Sequence, residues 1–415
     1  MVFLVTPRSG YLGCDDLQFV VIGNGVAGFT AVQELAREKL QSSSIIQFTD
    51  EQYPYYWRPK LPEFLGDDRM TENDVFAKNL EWYRSNNVEL QLEEKVEKID
   101  PDTKTVVTGK GTYSYDRLLM ATGADCFVPP VAGVDLCFAV RTLQDAITIR
   151  KQLKNSKSAA IIGGGVLGLE IANACLKRGL ETTVIEYFPY LLPRQLDEEG
   201  GKILQRILES RNMRFYLGTV VTSVLGDKQV AGIRLKSGEE ISTDAVISCT
   251  GIVSRKELAE KAGLKINRGI IVDDYMETSI KGIYAAGDAA EHGGRIYGLV
   301  MPSTEQARIA AANMVKPGSK KYRGSKVSAT LKVTDLYLTS MGEIGEKNDR
   351  DFEVRKHVDE ERGEYIKLFI KEDRIRGAII LGTKQGIALI RKMVEQETPY
   401  SSRETEIHGT FARLE

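Results

Sequence analysis

Phe19-Val20-Val21-Ile22-Gly23-Asn24-Gly25-Val26-Ala27-Gly28 is the stretch on which the fold turns. Four apolar residues run into glycines spaced Gly-x-Gly-x-x-Gly. Phe29 to Leu40 follow with helical periodicity, and Ile45-Ile46-Gln47-Phe48 reads as a second strand, which together make a βαβ unit. The glycine spacing alone is a weak signal; the strand before it and the helix after it give it meaning. The same order recurs at Ala159-Ala160-Ile161-Ile162 and Gly163-Gly164-Gly165-Val166-Leu167-Gly168. A helix then runs through Lys177, Gly179 ends it, and Thr182-Thr183-Val184-Ile185 forms the next strand.

Each glycine has a separate task. Gly23 and Gly163 make the tight turn, Gly25 and Gly165 let backbone approach a pyrophosphate, and Gly28 and Gly168 let helix pack on strand. The helix N-terminus, with Ala27 or Leu167 in its first turn, offers N–H groups and a positive dipole to the phosphates. In the second copy Glu186 ends its strand 18 residues after Gly168, where a carboxylate accepts hydrogen bonds from adenosine ribose hydroxyls and repels a 2'-phosphate. Tyr187 and Phe188 supply no compensating cation, which favours NADH over NADPH, with Arg194 as the counter-argument. In the first copy Asp50 and Glu51, 22 and 23 residues after Gly28, are the ribose candidates, with Asp50 the first choice. Two nucleotide sites in one chain point to a hydride relay.

The fold class expected is α/β: two Rossmann-like dinucleotide-binding domains followed by a C-terminal α+β domain. Leu118-Leu119-Met120-Ala121-Thr122-Gly123 closes the first unit, Thr250-Gly251 mirrors that ending after the second, and Ile283-Tyr284-Ala285-Ala286-Gly287-Asp288 is a further buried strand. The boundaries drawn are 17–127 and 250–324 for a discontinuous first nucleotide domain, 128–249 for the second inserted in it, and 325–415 for the last. In that last part Tyr365–Ile370 and Ala378–Leu381 read as antiparallel strands and Gln385 to Gln396 as a helix.

The bulk composition narrows the class further. The chain has 415 residues, is 42% hydrophobic and carries a formal net charge of -2, which gives no reason to expect nucleic acid or an anionic membrane as partner. No apolar run approaches the length of a bilayer span. Met1 to Asp16 read as a poorly ordered lead-in rather than a signal peptide, and the compartment expected is cytoplasmic. Five cysteines (Cys14, Cys126, Cys137, Cys175, Cys249) include no Cys-x-x-Cys pair, and the three histidines show no metal-ligand spacing, so no metal is expected.

The order of these motifs resembles the pyridine nucleotide-disulfide oxidoreductase superfamily. Tyr53-Pro54-Tyr55-Tyr56-Trp57-Arg58-Pro59-Lys60-Leu61 and Leu191-Leu192-Pro193-Arg194-Gln195-Leu196-Asp197 resemble, more narrowly, the NAD(P)H:rubredoxin oxidoreductases and the FAD domain of assimilatory nitrite reductase large subunits. The resemblance implies FAD in the first domain and NADH in the second. It places Ala121, Thr122 and Gly123 along the FAD, Asp288 after Gly287 at the FAD ribityl chain, and Arg58 against the diphosphate. Lys60 falls near the flavin, Glu170 beside the nicotinamide, Gly251 at the NAD crossover, and Gln306 opens a helix facing the flavin pyrimidine end.

Disulfide reductases of this superfamily need a dithiol or a reactive cysteine early in the first domain, and Tyr53 to Gly66 contains none. Nor does His408-Gly409-Thr410 supply their C-terminal His-Glu pair. Electrons are then expected to pass from nicotinamide to flavin and out to a small electron-carrier protein, rubredoxin-like or iron-sulfur, or to a partner subunit. No side chain is nominated as acid, base or nucleophile. The competing readings are an NADH oxidase using oxygen and an NADH-responsive scaffold with little turnover. Monomer and dimer both suit the sequence. Lys316, Lys320, Lys321, Arg323 and Lys326 form a basic stretch that reads first as a solvated linker and second as a dock for an acidic carrier.

Overall fold

A computed structural model describes residues 17–38, 43–326, 328–333, 336–344, 351–411 and 414. The lead-in through Asp16, with Cys14, lies outside them. The described residues divide into two compact units, one made of residues up to 57, 76–125 and 252–325, the other of 58–75, 126–251 and 326–415.

The first unit is built on a five-stranded parallel sheet in the order Ile283–Ala285, Arg117–Met120, Gln18–Ile22, Ser44–Phe48, Val88–Gln91. The middle of its central strands is apolar because both faces are covered: Val20, Val21, Leu118, Leu119, Met120 and Ala285 are all buried. Helix Val26–Arg37 packs against the sheet and against helix Val300–Val315. A three-stranded antiparallel sheet, Val96–Asp100, Thr105–Thr108 and Thr112–Ser114, interrupts the parallel order.

In the second unit the parallel sheet runs Met213–Leu217, Glu181–Glu186, Ser158–Ile162, Val246–Ser248, Phe138–Ala139. Helix Val166–Lys177 follows its central strand and stops at Lys177, with Gly179 at φ +79° just beyond. The C-terminal residues of this unit form an antiparallel sheet, ordered Ser328–Val333, Leu336–Gly342, Arg374–Leu381, Glu364–Lys371, Glu353–Asp359. Helix Ile387–Gln396 covers it and buries Ile390, Met393 and Val394 on Ile366, Leu368 and Ile380. That helix begins two residues later than the sequence reading, because Gly386 at φ +72° turns the chain into it.

Candidate functional site

In each sheet the glycine loop leaves the carboxyl end of a central strand. Gly23 and Gly163 stand at φ +107° and +109°, conformations that suit glycine. A Cβ on Gly23 would lie 2.1 Å from Ala121 O, and one on Gly163 would lie 2.5 Å from Cys249 O, so neither turn admits a side chain. The third glycines are as tightly placed: Cβ atoms on Gly28 and Gly168 would meet the carbonyls of Gly23 and Gly163 at 2.0 and 1.9 Å. Backbone is thereby packed on backbone at both helix starts.

The two helix N-termini are open. The helices that follow Gly25 and Gly165 have no side-chain cap, whereas helix Leu143–Leu153 is capped by Thr142 and helix Glu198–Glu209 by Asp197. N–H groups left without an internal acceptor and lined by glycine make a cradle for a phosphate. The residues present fit the diphosphate of a dinucleotide in both copies.

Around the first loop the structure gathers Ala27, Ala121, Gly287 and Gln306. A Cβ on Gly287 would lie 2.8 Å from the Ala27 Cβ, and the Gly287 N–H donates to Gln306 Oε1 at 2.9 Å. Gln306 does not open its helix. That helix starts at Val300, and the buried Gln306 amide oxygen is occupied with Gly287. Asp288 lies in the short turn Gly287–Ala289. The Thr122 hydroxyl donates to Arg255 O at 2.8 Å, and Arg255 N–H donates to Gly123 O at 3.0 Å.

Strand register places Thr49, rather than Asp50 or Glu51, where the second copy has Glu186, because Gly23 N–H bonds Phe48 O as Gly163 N–H bonds Ile185 O. Asp50 and Glu51 follow on the turn. Asp50 pairs with Arg255 at 3.4 Å, and Glu51 accepts the Tyr56 hydroxyl at 2.5 Å. Arg255 also reaches Asp125 at 2.6 Å and so links three segments of the first unit. No sequence signal singled it out, since its partners are 130 and 205 residues away. Arg58 and Lys60 sit on the turn Arg58–Lys60 in the second unit, where Lys60 Nζ donates to Asp74 O at 3.0 Å.

In the second copy Glu186 is buried and aimed at its own glycine loop. Oε2 accepts the Gly164 N–H at 2.6 Å and Oε1 accepts the Phe188 N–H at 2.9 Å. Each carboxylate oxygen keeps a further lone pair for a donor such as a ribose hydroxyl. Tyr187 and Phe188 beyond it are exposed, and Arg194 is exposed as well. Leu167 is partly exposed in the first helical turn, and Gly251, at φ +118°, has no atom within 4 Å of its would-be Cβ. Glu170 lies on helix Val166–Lys177, and burial raises its carboxyl from an ordinary 4.5 to about 7.

Four cysteines are free thiols among the described residues. Burial pushes Cys137 up to about 11, Cys175 to about 12 and Cys249 higher still, the opposite of what a thiolate nucleophile requires. Among the described residues no helix is long and apolar enough to cross a membrane.

Residues 17–313 match the model of the pyridine nucleotide-disulphide oxidoreductase family, and residues 328–398 match that of the rubredoxin NAD+ reductase C-terminal domain. The nitrite reductase [NAD(P)H] of Bacillus subtilis is 37% identical over 92% of this chain and 48% of its own length. The assimilatory nitrate reductase electron transfer subunit of the same organism is 33% identical over 91% and 49%. The chain thus spans about half the length of these two curated relatives. The crystal structure of NADH:rubredoxin oxidoreductase from Clostridium acetobutylicum superposes with a TM-score of 0.76 at 28% identity, covering 93% of this chain and 96% of that one.

Proposed function

The chain belongs to the pyridine nucleotide-disulphide oxidoreductase family, and from that premise we propose that it passes electrons from NADH through FAD, without a redox disulfide, to a small electron-carrier protein or a partner subunit. The observation that carries this reading is the pair of uncapped, glycine-lined helix N-termini at the carboxyl ends of two parallel sheets in one chain. Gly23, Gly25, Gly28, Gly287 and Asp288 would hold the FAD. Gly163, Gly165, Gly168 and Glu186 would hold the NADH, with Glu170 as the nicotinamide neighbour. When bound, FAD supplies the chemistry that exchanges a hydride for single electrons; the chain binds, orients and excludes water. The raised thiols of Cys137, Cys175 and Cys249 support an exit for the electrons that does not pass through those three. The compartment that suits this activity is the cytoplasm.

The test is to mix flavin-loaded protein with NADH anaerobically and follow the oxidised-flavin band near ~450 nm by stopped flow. Bleaching within milliseconds to seconds, faster with NADH than with NADPH, is the expected result, followed by reoxidation on adding a rubredoxin-like or iron-sulfur acceptor. No bleaching with FAD bound overturns the reading, and reoxidation by oxygen as fast as by any carrier turns it into an oxidase. Glu186 carries the nucleotide preference. Glu186→Gln keeps an acceptor for the Gly164 N–H but removes the charge facing a 2'-phosphate, and is expected to narrow the NADH-over-NADPH ratio of kcat/KM by about tenfold, or about 1.4 kcal/mol.

A further inference from the structure

The two glycine loops have the same backbone path but are held in place by different devices. Gly23 N–H bonds Phe48 O at 2.8 Å and Gly163 N–H bonds Ile185 O at 2.7 Å, so the strands superpose in register. In that register Gln47 of the first copy corresponds to Val184 of the second, and Asn24 corresponds to Gly164.

Gln47 is fully buried on strand Ser44–Phe48, and its Nε2 donates to Gly23 O at 2.9 Å. That carbonyl is the one on which Gly28 packs. Asn24 is held from the other direction. Tyr55 N–H donates to the Tyr83 hydroxyl at 3.2 Å, and that hydroxyl donates to Asn24 Oδ1 at 3.0 Å. The orientation of the amide follows from this chain: the backbone N–H can only donate, so the hydroxyl proton is free for an acceptor, which Oδ1 supplies. Tyr83 is itself seated in an aromatic group with Phe29, Tyr55 and Trp82.

Both devices leave a buried polar atom unmatched. Gln47 Oε1 and Asn24 Nδ2 have no hydrogen-bond partner among the described residues. Stability alone would favour an apolar residue at 47, as at 184, since an unpaired buried amide oxygen costs the fold. In the second copy no such amide is present, and the Gly164 N–H leans on Glu186, the carboxylate assigned above to the exchanging nucleotide's ribose.

We propose that Gln47 and the Tyr83–Asn24 pair are positioning residues that preset the first glycine loop independently of ligand, so that this copy retains its nucleotide while the second copy, braced by Glu186, lets its nucleotide exchange. The proposal rests on the reading that the first copy holds FAD. Gln47 acts through Gly23 O and Tyr83 through Asn24; neither is assigned a contact with FAD. Preorganisation of this kind spares the ligand the cost of ordering the loop on binding.

The test uses Gln47→Met, close in volume and unable to hydrogen-bond, and Tyr83→Phe, which removes only the hydroxyl. Three quantities are measured on flavin-stripped full-length protein: the FAD dissociation constant by quenching of flavin fluorescence, the NADH dissociation constant by calorimetry, and the melting temperature. For Gln47→Met the FAD dissociation constant is expected to rise at least about tenfold. NADH affinity should stay within about twofold, and the flavin-free protein should melt no lower than wild type, because an unmatched buried oxygen has been removed. Tyr83→Phe is expected to weaken FAD binding and leave NADH binding unchanged. FAD affinity unchanged in both variants overturns the proposal, as does a parallel fall in FAD affinity, NADH affinity and melting temperature in Gln47→Met. Wild-type protein that takes up no FAD overturns the cofactor reading beneath it, a different result from either.

Discussion

Replacing Lys367 alone with Met is expected to destabilise the second unit by about 3–5 kcal/mol, the range for removing one partner of a buried ion pair. Lys367 and Asp197 are both buried, and Lys367 Nζ lies 2.7 Å from Asp197 Oδ2. Asp197 also caps helix Glu198–Glu209 by accepting the Gly200 N–H at 3.0 Å, and it accepts the Tyr365 hydroxyl at 2.7 Å. Burial pushes the Asp197 carboxyl up, but the bonds from Lys367, Tyr365 and Gly200 outweigh it and hold the group below the usual carboxylate range. With Lys367→Met the carboxylate stays buried beside Tyr365 and the helix N-terminus without its cation, and that uncompensated charge dominates the loss. Asp197→Asn added to Lys367→Met removes the stranded charge while keeping an N-cap oxygen, so the double variant should recover most of the difference in a urea melt. The pH sense follows from the lowered carboxyl: its stabilisation is full above the unfolded-state pKa and is lost as pH falls through the folded one. Wild type should therefore lose its advantage over the double variant in acid. A Lys367→Met melt within about 1 kcal/mol of wild type at pH 7 would show that the pair contributes little.

This pair also shows where the sequence stops being informative. Asp197 closes the run Leu191–Asp197, whose resemblance to a family motif was visible, but its partner lies 170 residues further on in a strand that reads only as apolar. Periodicity locates a strand; it does not say which helix its buried lysine will face. The glycine loops were legible for the opposite reason. A turn at φ above +100° that admits no Cβ leaves glycine as the fitting residue, so each requirement is written locally. Glu186 was legible because it ends its own strand. Asp50 and Glu51 were harder: the count from Gly28 takes no account of loop length, and only strand register shows that Thr49 holds the Glu186 position. Gln47 looked like one polar residue in an apolar strand. Its meaning depends on Gly23 O, a backbone atom that no side-chain pattern reports.

Glu170→Gln is expected to stabilise the flavin-free protein at pH 8 by up to about 3 kcal/mol and to leave it nearly unchanged at pH 4, each tenfold in proton affinity being worth about 1.4 kcal/mol. Burial is the cause that raises the Glu170 carboxyl, from 4.5 to about 7, and among the described residues it has no cation or hydrogen-bond donor to offset the desolvation. The sign follows directly. Below about 4.5 the carboxyl is protonated in both folded and unfolded chains and contributes nothing to the pH dependence. Between about 4.5 and about 7 the unfolded chain has released the proton and the folded one has kept it, so stability falls as pH rises. Above about 7 both are ionised and the penalty is complete. Glutamine has nearly the same shape and no charge, so it removes the penalty without opening a cavity. Urea melts of wild type and variant at a series of pH values isolate this one group, because every other titration is common to both. A stability difference growing from near zero at pH 4 to a plateau above pH 7 supports the account; a difference flat across the series would show that Glu170 finds a partner on ionising. The same titration bears on function, because the resemblance places this carboxyl beside the nicotinamide. A group half-protonated near neutrality can meet the ring as a neutral donor or as an anion, so the NADH dissociation constant of wild type should vary with pH around 7, and that of Glu170→Gln should not.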